Sequence, residues 1–191
     1  MSFFSSGAYR NPMVLRVAGL AYQESFGGHF HNDNSVAVLR DVPGLVLAVP
    51  ARPADAAPMF RSCLASAAQD GSVCVFLEPI ALYHTRDLHK QGDNGWLAGY
   101  SAPADWGGEH IPIGRARTYP VGSADHLTIL TFGNGLRMSL RVAEKLAASY
   151  RSMAAAALSA SPPSAAAVDV SVAVLLFVFD FKLCYTSYRF L

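Results

Sequence analysis

"LVLAVPARPADAAPMFRSCLASAAQDGSVCVFLEP", residues 45–79, decides how this chain folds. "LVLAVP" is continuously apolar, as a strand covered on both faces must be, and "VCVFLE" (Val73 to Glu78) returns to the same pattern. Between them "RPADAAPMFRSCLASAAQ" reads as a helix. Asp55 is its expected N-cap and Pro58 the third helical position, where a missing N–H has no intrahelical partner to lose. Strand, helix, strand make one crossover unit, the building block of a mostly parallel α/β sheet.

Upstream, "PMVLRVA" (Pro12 to Ala18) reads as a first strand, and "SVAVLRD" (Ser35 to Asp41) as a short helix before the Pro43-Gly44 turn. Downstream, from Tyr83 to Tyr119, periodicity dissolves into Gly, Asp and aromatic residues over a length too great for an ordinary connection. This segment is expected to be a functional loop, a linker, or both. Its Trp96, Tyr100 and Trp106 suit a partner-docking surface and a loop core equally. Order returns with "HLTILTF" (His126 to Phe132) as a strand, a Gly133-Asn134-Gly135 turn and "LRMSLRVAEKLAASY" as an amphipathic helix. "SMAAAALSASPPSAAAV" (Ser152 to Val168) is linker-like in composition. "VSVAVLLFVF" (Val170 to Phe179), flanked by Asp169 and Asp180, is about half of the ~20 residues a membrane span needs. It reads as a core strand or as a misplaced tail.

Of the 191 residues 52% are hydrophobic and 15% charged, the latter well below the roughly 25% of an average soluble domain. Either the core is large or other chains cover part of the surface, which favours an oligomer. With a formal net charge of +1 and no basic cluster, neither nucleic acid nor an anionic membrane is an expected partner. Cys63, Cys74 and Cys184 are odd in number, lack CxxC spacing and follow no secretory signal, so a reducing compartment is expected, cytoplasmic or mitochondrial matrix, and not secretion. Cys74, inside an apolar strand, is expected to be buried and inert.

In "GGHFHNDNSVAVLRDVPG", residues 27–44, His29, His31 and Asp33 share one side of an extended backbone, as metal ligands would. Zn2+ would need a further ligand, and the candidates His84, Asp87 and His89 are more than fifty residues away. A metal-dependent enzyme built on the His29/His31 pair is therefore the weakest functional reading.

The order of landmarks carries a stronger one. Arg16, a Gly-rich loop, a His shortly before "PGLVLAVP", then "PADA", "FLEP", "ALY" and "LTILTFGNG" ahead of a helix resembles the β subunit of thiamine-diphosphate-dependent 2-oxoacid dehydrogenases of the pyruvate and branched-chain type. The resemblance runs from about Tyr9 to Tyr150. It implies a transketolase-like architecture: 1–85 the C-terminal part of a pyrimidine-binding domain, 86–120 an inter-domain loop, 121–150 the start of a C-terminal domain, and 151–191 a divergent tail, the whole incomplete at both ends.

The resemblance further implies thiamine diphosphate with Mg2+ as cofactor, oxidative decarboxylation of a 2-oxoacid, and acyl transfer to the lipoyl-lysine of an acyltransferase. In the family count it places the catalytic His at His31, in the channel to the thiazolium. Read from the residues themselves, Arg16 suits a structural partner of a carboxylate or a substrate clamp, and Glu78-Pro79 a strand-end cap or, since strand C-termini of open α/β sheets are where ligands bind, a place near the site. The glutamate that activates the cofactor in relatives has no counterpart here, since neither Glu24 nor Glu78 occupies its place in the motif order. The diphosphate and Mg2+ fall to a separate α-type subunit, "GDNG" (Gly92 to Gly95) being only an echo of the family's binding motif. Cys63 and Asp70 are the candidates for a structural monovalent cation. The chain alone is expected to be inactive. The alternative is a degenerate relative that keeps the subunit interface as a non-catalytic interaction module.

Overall fold

The computed structural model describes residues 5, 6, 8–21, 36–121, 127–158 and 170–174. Glu24, His29, His31 and Asp33 lie outside the described residues.

Met13–Gly19 (β1), Leu45–Ala48 (β2) and Val73–Pro79 (β3) form a parallel sheet in the order β1-β3-β2. The register sets Val14 and Val46 beside Cys74, and Arg16 and Ala48 beside Phe76. Because β3 is central, both its faces are apolar. Cys74 and Phe76 meet Val46, Ala48, Met59 and Cys63 on one side, while Val75 and Leu77 meet Leu20, Leu47 and Val49 on the other. Burial on two faces is what made β2 and β3 unbroken apolar runs. β1 pairs only with β3 among the described residues, and there Leu15 stays 44% exposed. The α/β class with a parallel sheet is thus the one the sequence called for, and the crossover unit is present.

A short helix, Val36–Arg40 (α1), precedes the Pro43-Gly44 turn. The crossover helix is Pro53–Asp70 (α2), and its start corrects the expectation. Arg52, in extended conformation, is the N-cap residue and Pro53 follows it, where a fixed φ and an absent N–H suit the first helical position. Asp55 therefore stands inside the first turn, and Pro58 is the sixth helical residue counted from Pro53, where its ring removes the N–H that would reach the Ala54 carbonyl. At the other end Gly71 adopts φ 69° and its N–H donates to the Ala67 carbonyl at 3.0 Å. Arg10 lies over this glycine, with Nη1 donating to the Gln69 carbonyl at 2.9 Å, and a Cβ added at Gly71 would come 2.7 Å from the Cβ of Arg10. Gly71→Ala is accordingly expected to destabilise the chain by about 1–2 kcal/mol through left-handed strain alone, read as a lowered Tm; a wild-type Tm would refute the cap.

A second sheet holds Arg117–Val121 (β4), Leu127–Thr131 (β5) and Val170–Val174 (β6) in the order β4-β6-β5. β6 runs antiparallel to β4 and parallel to β5, so the start of the apolar run near the C-terminus is a central strand. The helix after β5, Gly135–Leu158 (α3), continues past Tyr150 and corrects the linker reading of Ser152 to Leu158. Alanine is the strongest helix former, and the helix ends only near the Ser/Pro-rich part. The turn before α3 rests on the first sheet. Gly133 has φ +54°, a Cβ on it would meet Leu20 at 3.0 Å, and the buried Asn134 donates from Nδ2 to the Leu20 carbonyl at 3.4 Å. No described helix is long and apolar enough to cross a membrane.

Candidate functional site

Parallel strands deliver their C-terminal ends to one edge, and in open α/β sheets that edge is where ligands bind. Here β2 and β3 open into a cavity of about 520 Å³, of the size that holds a small molecule. Its walls include Arg16, Glu78 and Tyr83 on one side and Arg52, Trp96 and Leu97 on another.

Arg16 and Glu78, sixty-two residues apart in sequence, are brought together because β1 and β3 are neighbours. Arg16 Nε donates to Glu78 Oε1 and Nη2 to Oε2, the latter at 3.1 Å, and the Tyr83 hydroxyl donates to the same Oε2. This fork is the bidentate geometry that guanidinium and carboxylate favour. The Arg16 hydrogen bonds hold the Glu78 carboxyl below its ordinary value, burial opposes them, and Tyr83 adds to the lowering. Burial and then Glu78 push the Tyr83 phenol up to about 12.

The sign of the pH effect follows. Glu78 is more acidic folded than unfolded, so its contribution is complete above pH 4.5, its unfolded value, and is lost as pH falls through the lower folded value. Glu78→Gln is expected to lower stability at neutral pH and to flatten the loss of stability below pH 4.5, as measured by urea denaturation at a series of pH values. Parallel curves for the two proteins would show that Glu78 is not the titrating group.

The second wall was not legible beforehand. Arg52 is half-buried, its guanidinium 5.7 Å from the centre of the Trp96 ring and 5.6 Å from that of Tyr119. Its Nη2 donates to the Gly95 carbonyl at 3.4 Å. Asp55, 2% exposed, is paired with Arg117 and accepts from the Tyr119 hydroxyl at 3.0 Å. Burial and then Asp55 raise the Tyr119 phenol well above its ordinary value. These residues come from the start of α2, the long loop and β4, and no local spacing announces their meeting.

The loop itself is held by two carboxylates. Asp93 accepts backbone N–H bonds from His89 at 2.7 Å, Gly95 at 2.8 Å, and Leu88 and Lys90 at 2.9 Å. These donors, Gly95 first, hold its carboxyl well below the usual range. Asp87 accepts from Gly92 at 2.8 Å and Asn94 at 2.9 Å, while Arg137 donates twice to the Asp87 carbonyl. The acidic residue of Gly92–Gly95 is thus committed to the loop backbone. Trp96 is 1% exposed and belongs to the core, whereas Tyr100 is 73% exposed.

His89 pairs with Glu144, Asp87 bonds the loop, and no group of three His, Cys, Asp or Glu side chains suited to a metal exists among the described residues. Cys63 and Asp70 stand two helical turns apart on α2, about 10 Å along its axis. Cys63 is buried under the sheet, where the Cys74 thiol donates to its carbonyl at 3.6 Å. The Cys74 thiol and burial raise the Cys63 thiol far above its ordinary value. Asp70 accepts from Ser66 Oγ at 3.4 Å at the exposed end of the helix.

No protein-family model matches the chain. Over 150 residues, 76% of this chain, it is 25% identical to the 2-oxoisovalerate dehydrogenase subunit beta of Pseudomonas aeruginosa, and it spans 40% of that relative's length. A solved structure described as a split gene transketolase, inactive beta4 tetramer, aligns with 92% of this chain and 44% of its own at 17% identity and a TM-score of 0.48. The chain is thus similar in sequence to the β subunit of a 2-oxoacid dehydrogenase, the family its motif order resembles.

Proposed function

We propose that this chain serves as the β-like part of a thiamine-diphosphate-dependent 2-oxoacid dehydrogenase, which decarboxylates a 2-oxoacid oxidatively and passes the acyl group to lipoyl-lysine on an acyltransferase. The observation that supports this reading is the 25% identity to a 2-oxoisovalerate dehydrogenase subunit beta over 76% of the chain. In this reading 1–85 belong to a pyrimidine-binding domain, 86–120 join it to the next, and 121–150 open the C-terminal domain, to which the end of α3 as far as Leu158 and the central strand β6 also belong. His31 is the proposed catalytic residue, because an imidazole changes charge near neutral pH and so can meet a substrate carboxylate or assist acyl transfer. Arg16 and Glu78, locked together with Tyr83, hold the ends of β1 and β3 in place beside the site.

The described residues do not fit a diphosphate–Mg2+ site, since Asp93, the carboxylate of the Gly92–Gly95 echo, is already used by four backbone N–H groups. That half of the cofactor is assigned to an α-type diphosphate-binding subunit. Thiamine diphosphate, when bound, supplies carbanion chemistry at the 2-oxo carbon. Because the diphosphate half is assigned to the α-type partner, the chain is expected to be inactive without it.

Isothermal titration of thiamine diphosphate with Mg2+ into this chain, alone and mixed with the α subunit of a 2-oxoisovalerate dehydrogenase, tests the proposal. Binding confined to the mixture, above that of the α subunit alone, is the expected result. Turnover by the purified chain alone, or no added binding in the mixture, would overturn it.

A further inference from the structure

Beside the aromatic wall of the cavity lie two free thiols that the proposed chemistry leaves unused. Cys63 on α2 is 1% exposed and Cys74 on β3 is 0% exposed, and both belong to the core cluster of Val46, Ala48, Met59 and Phe76. They come from a helix and a strand, eleven residues apart in sequence. The Cys74 thiol donates to the Cys63 carbonyl at 3.6 Å, and the two thiol groups also hydrogen-bond each other. Sulfurs in such contact have only the remaining gap to close to reach the ~2.05 Å of a disulfide.

The pair is built into the wall of the site. Phe60 precedes Cys63 by three residues on α2, and Phe76 follows Cys74 by two on the same face of β3. The two rings line the cavity and meet edge to face at 5.2 Å. A bond between the sulfurs therefore ties α2 to β3 where their side chains form that wall. Burial keeps reagents from both sulfurs while the seam is closed, and a local opening that admits an oxidant to one leaves the other beside it.

We infer that Cys63 and Cys74 are a redox clasp: a peroxide that reaches them joins α2 to β3 by a reversible disulfide and fixes Phe60 against Phe76. Hydrogen bonding from the Cys63 thiol lowers the Cys74 thiol against the effect of burial, so Cys74 reacts first, as the thiolate. Its sulfur attacks one peroxide oxygen; the S–O bond forms, the O–O bond breaks, and the hydroxide released takes up the Cys74 proton as water. The Cys63 sulfur then attacks the sulfenic sulfur; the S–S bond forms, the S–O bond breaks, and the second hydroxide leaves as water with the Cys63 proton. Two thiols give up two electrons and two protons, and the peroxide becomes two waters. Disulfides of this kind act as transient sensors where thiols are otherwise kept reduced. The clasp does not depend on the dehydrogenase role proposed above.

The test uses the full-length chain carrying Cys184→Ser, which removes the remaining cysteine. The reduced protein is treated with hydrogen peroxide in native buffer, and free thiols are counted by alkylation in denaturant. Both thiols are expected to disappear together, in a monomeric chain lighter by two hydrogen atoms, and to return with dithiothreitol. The oxidised chain is expected to unfold in urea with an equilibrium constant at least about tenfold smaller than the reduced chain. Cys63→Ser on the same background is expected to leave a Cys74 sulfenic acid that dimedone captures. Thiols that stay free after peroxide has oxidised added cysteine in the same tube would overturn the inference. So would loss of single thiols to sulfinic acid, a disulfide only between chains, an oxidised chain no more stable than the reduced one, or a folded Cys63→Ser chain that gives no adduct. The thiol count on the Cys184→Ser chain stands even if the Cys63 variant fails to fold.

Discussion

Trp96→Ala is expected to cost about 3–5 kcal/mol of stability, a large effect for a residue in a segment with almost no regular structure. The indole is 1% exposed and is packed with Ala51, Leu136, Leu140 and Ala143, with Leu82 and Leu88 at the margin of the cluster. It therefore joins the end of β2, the long loop and the inner face of α3. Alanine would leave a cavity that three elements would have to collapse to fill. Trp96→Phe should cost far less, about 1–1.5 kcal/mol, because the lost Nε1–H makes no hydrogen bond among the described residues. Urea denaturation followed by far-UV circular dichroism measures both. An alanine variant within about 1 kcal/mol of wild type would mean that the loop is draped on the fold and is not part of its core.

Arg117→Met is the second large effect, expected at about 3 kcal/mol, the low end for breaking a buried ion pair because half of the Arg117 side chain already meets water. The Asp55 side chain is 3% exposed, so removing its cation leaves a buried carboxylate that, among the described residues, keeps the Tyr119 hydroxyl at 3.0 Å as its side-chain partner. The reverse change is predicted to be milder. Asp55→Asn leaves Arg117, 53% exposed, free to turn outward, and keeps an oxygen for Tyr119. The double variant Asp55→Asn with Arg117→Met should then recover part of the loss, since the uncompensated charge is gone. The same denaturation series decides it: equal costs for the two single changes would show that burial of Asp55 is not what makes the pair matter.

The crossover unit was readable because apolar runs bounded by Pro and Gly leave few alternatives, and β2, α2 and β3 fall where that pattern puts them. The start of α2 was misread because Asp55 is a favoured cap residue, while Pro53 prefers the first helical position and sets the boundary two residues earlier. Ser152 to Leu158 was misread because Ala-rich composition serves both linkers and helices. Arg16 and Glu78 stand out separately in the sequence, but their pairing becomes visible only once β1 and β3 are neighbours in the sheet. The meeting of Arg52, Trp96 and Tyr119 follows from neither: it depends on how a long loop folds over a helix start, which no local period encodes. His31 lies outside the described residues.

The two aspartates of the long loop bear on how this protein can change over generations. Asp87 and Asp93 bind main-chain N–H groups, which every residue except proline supplies. The side chains at Lys90 and Gln91, exposed at the tip, enter none of these bonds. Mutations there are free to accumulate without loosening the loop, so long as the two carboxylates and the left-handed Gly92 persist. A new recognition surface could be written onto that tip by selection while the Trp96 anchor beneath it stays fixed.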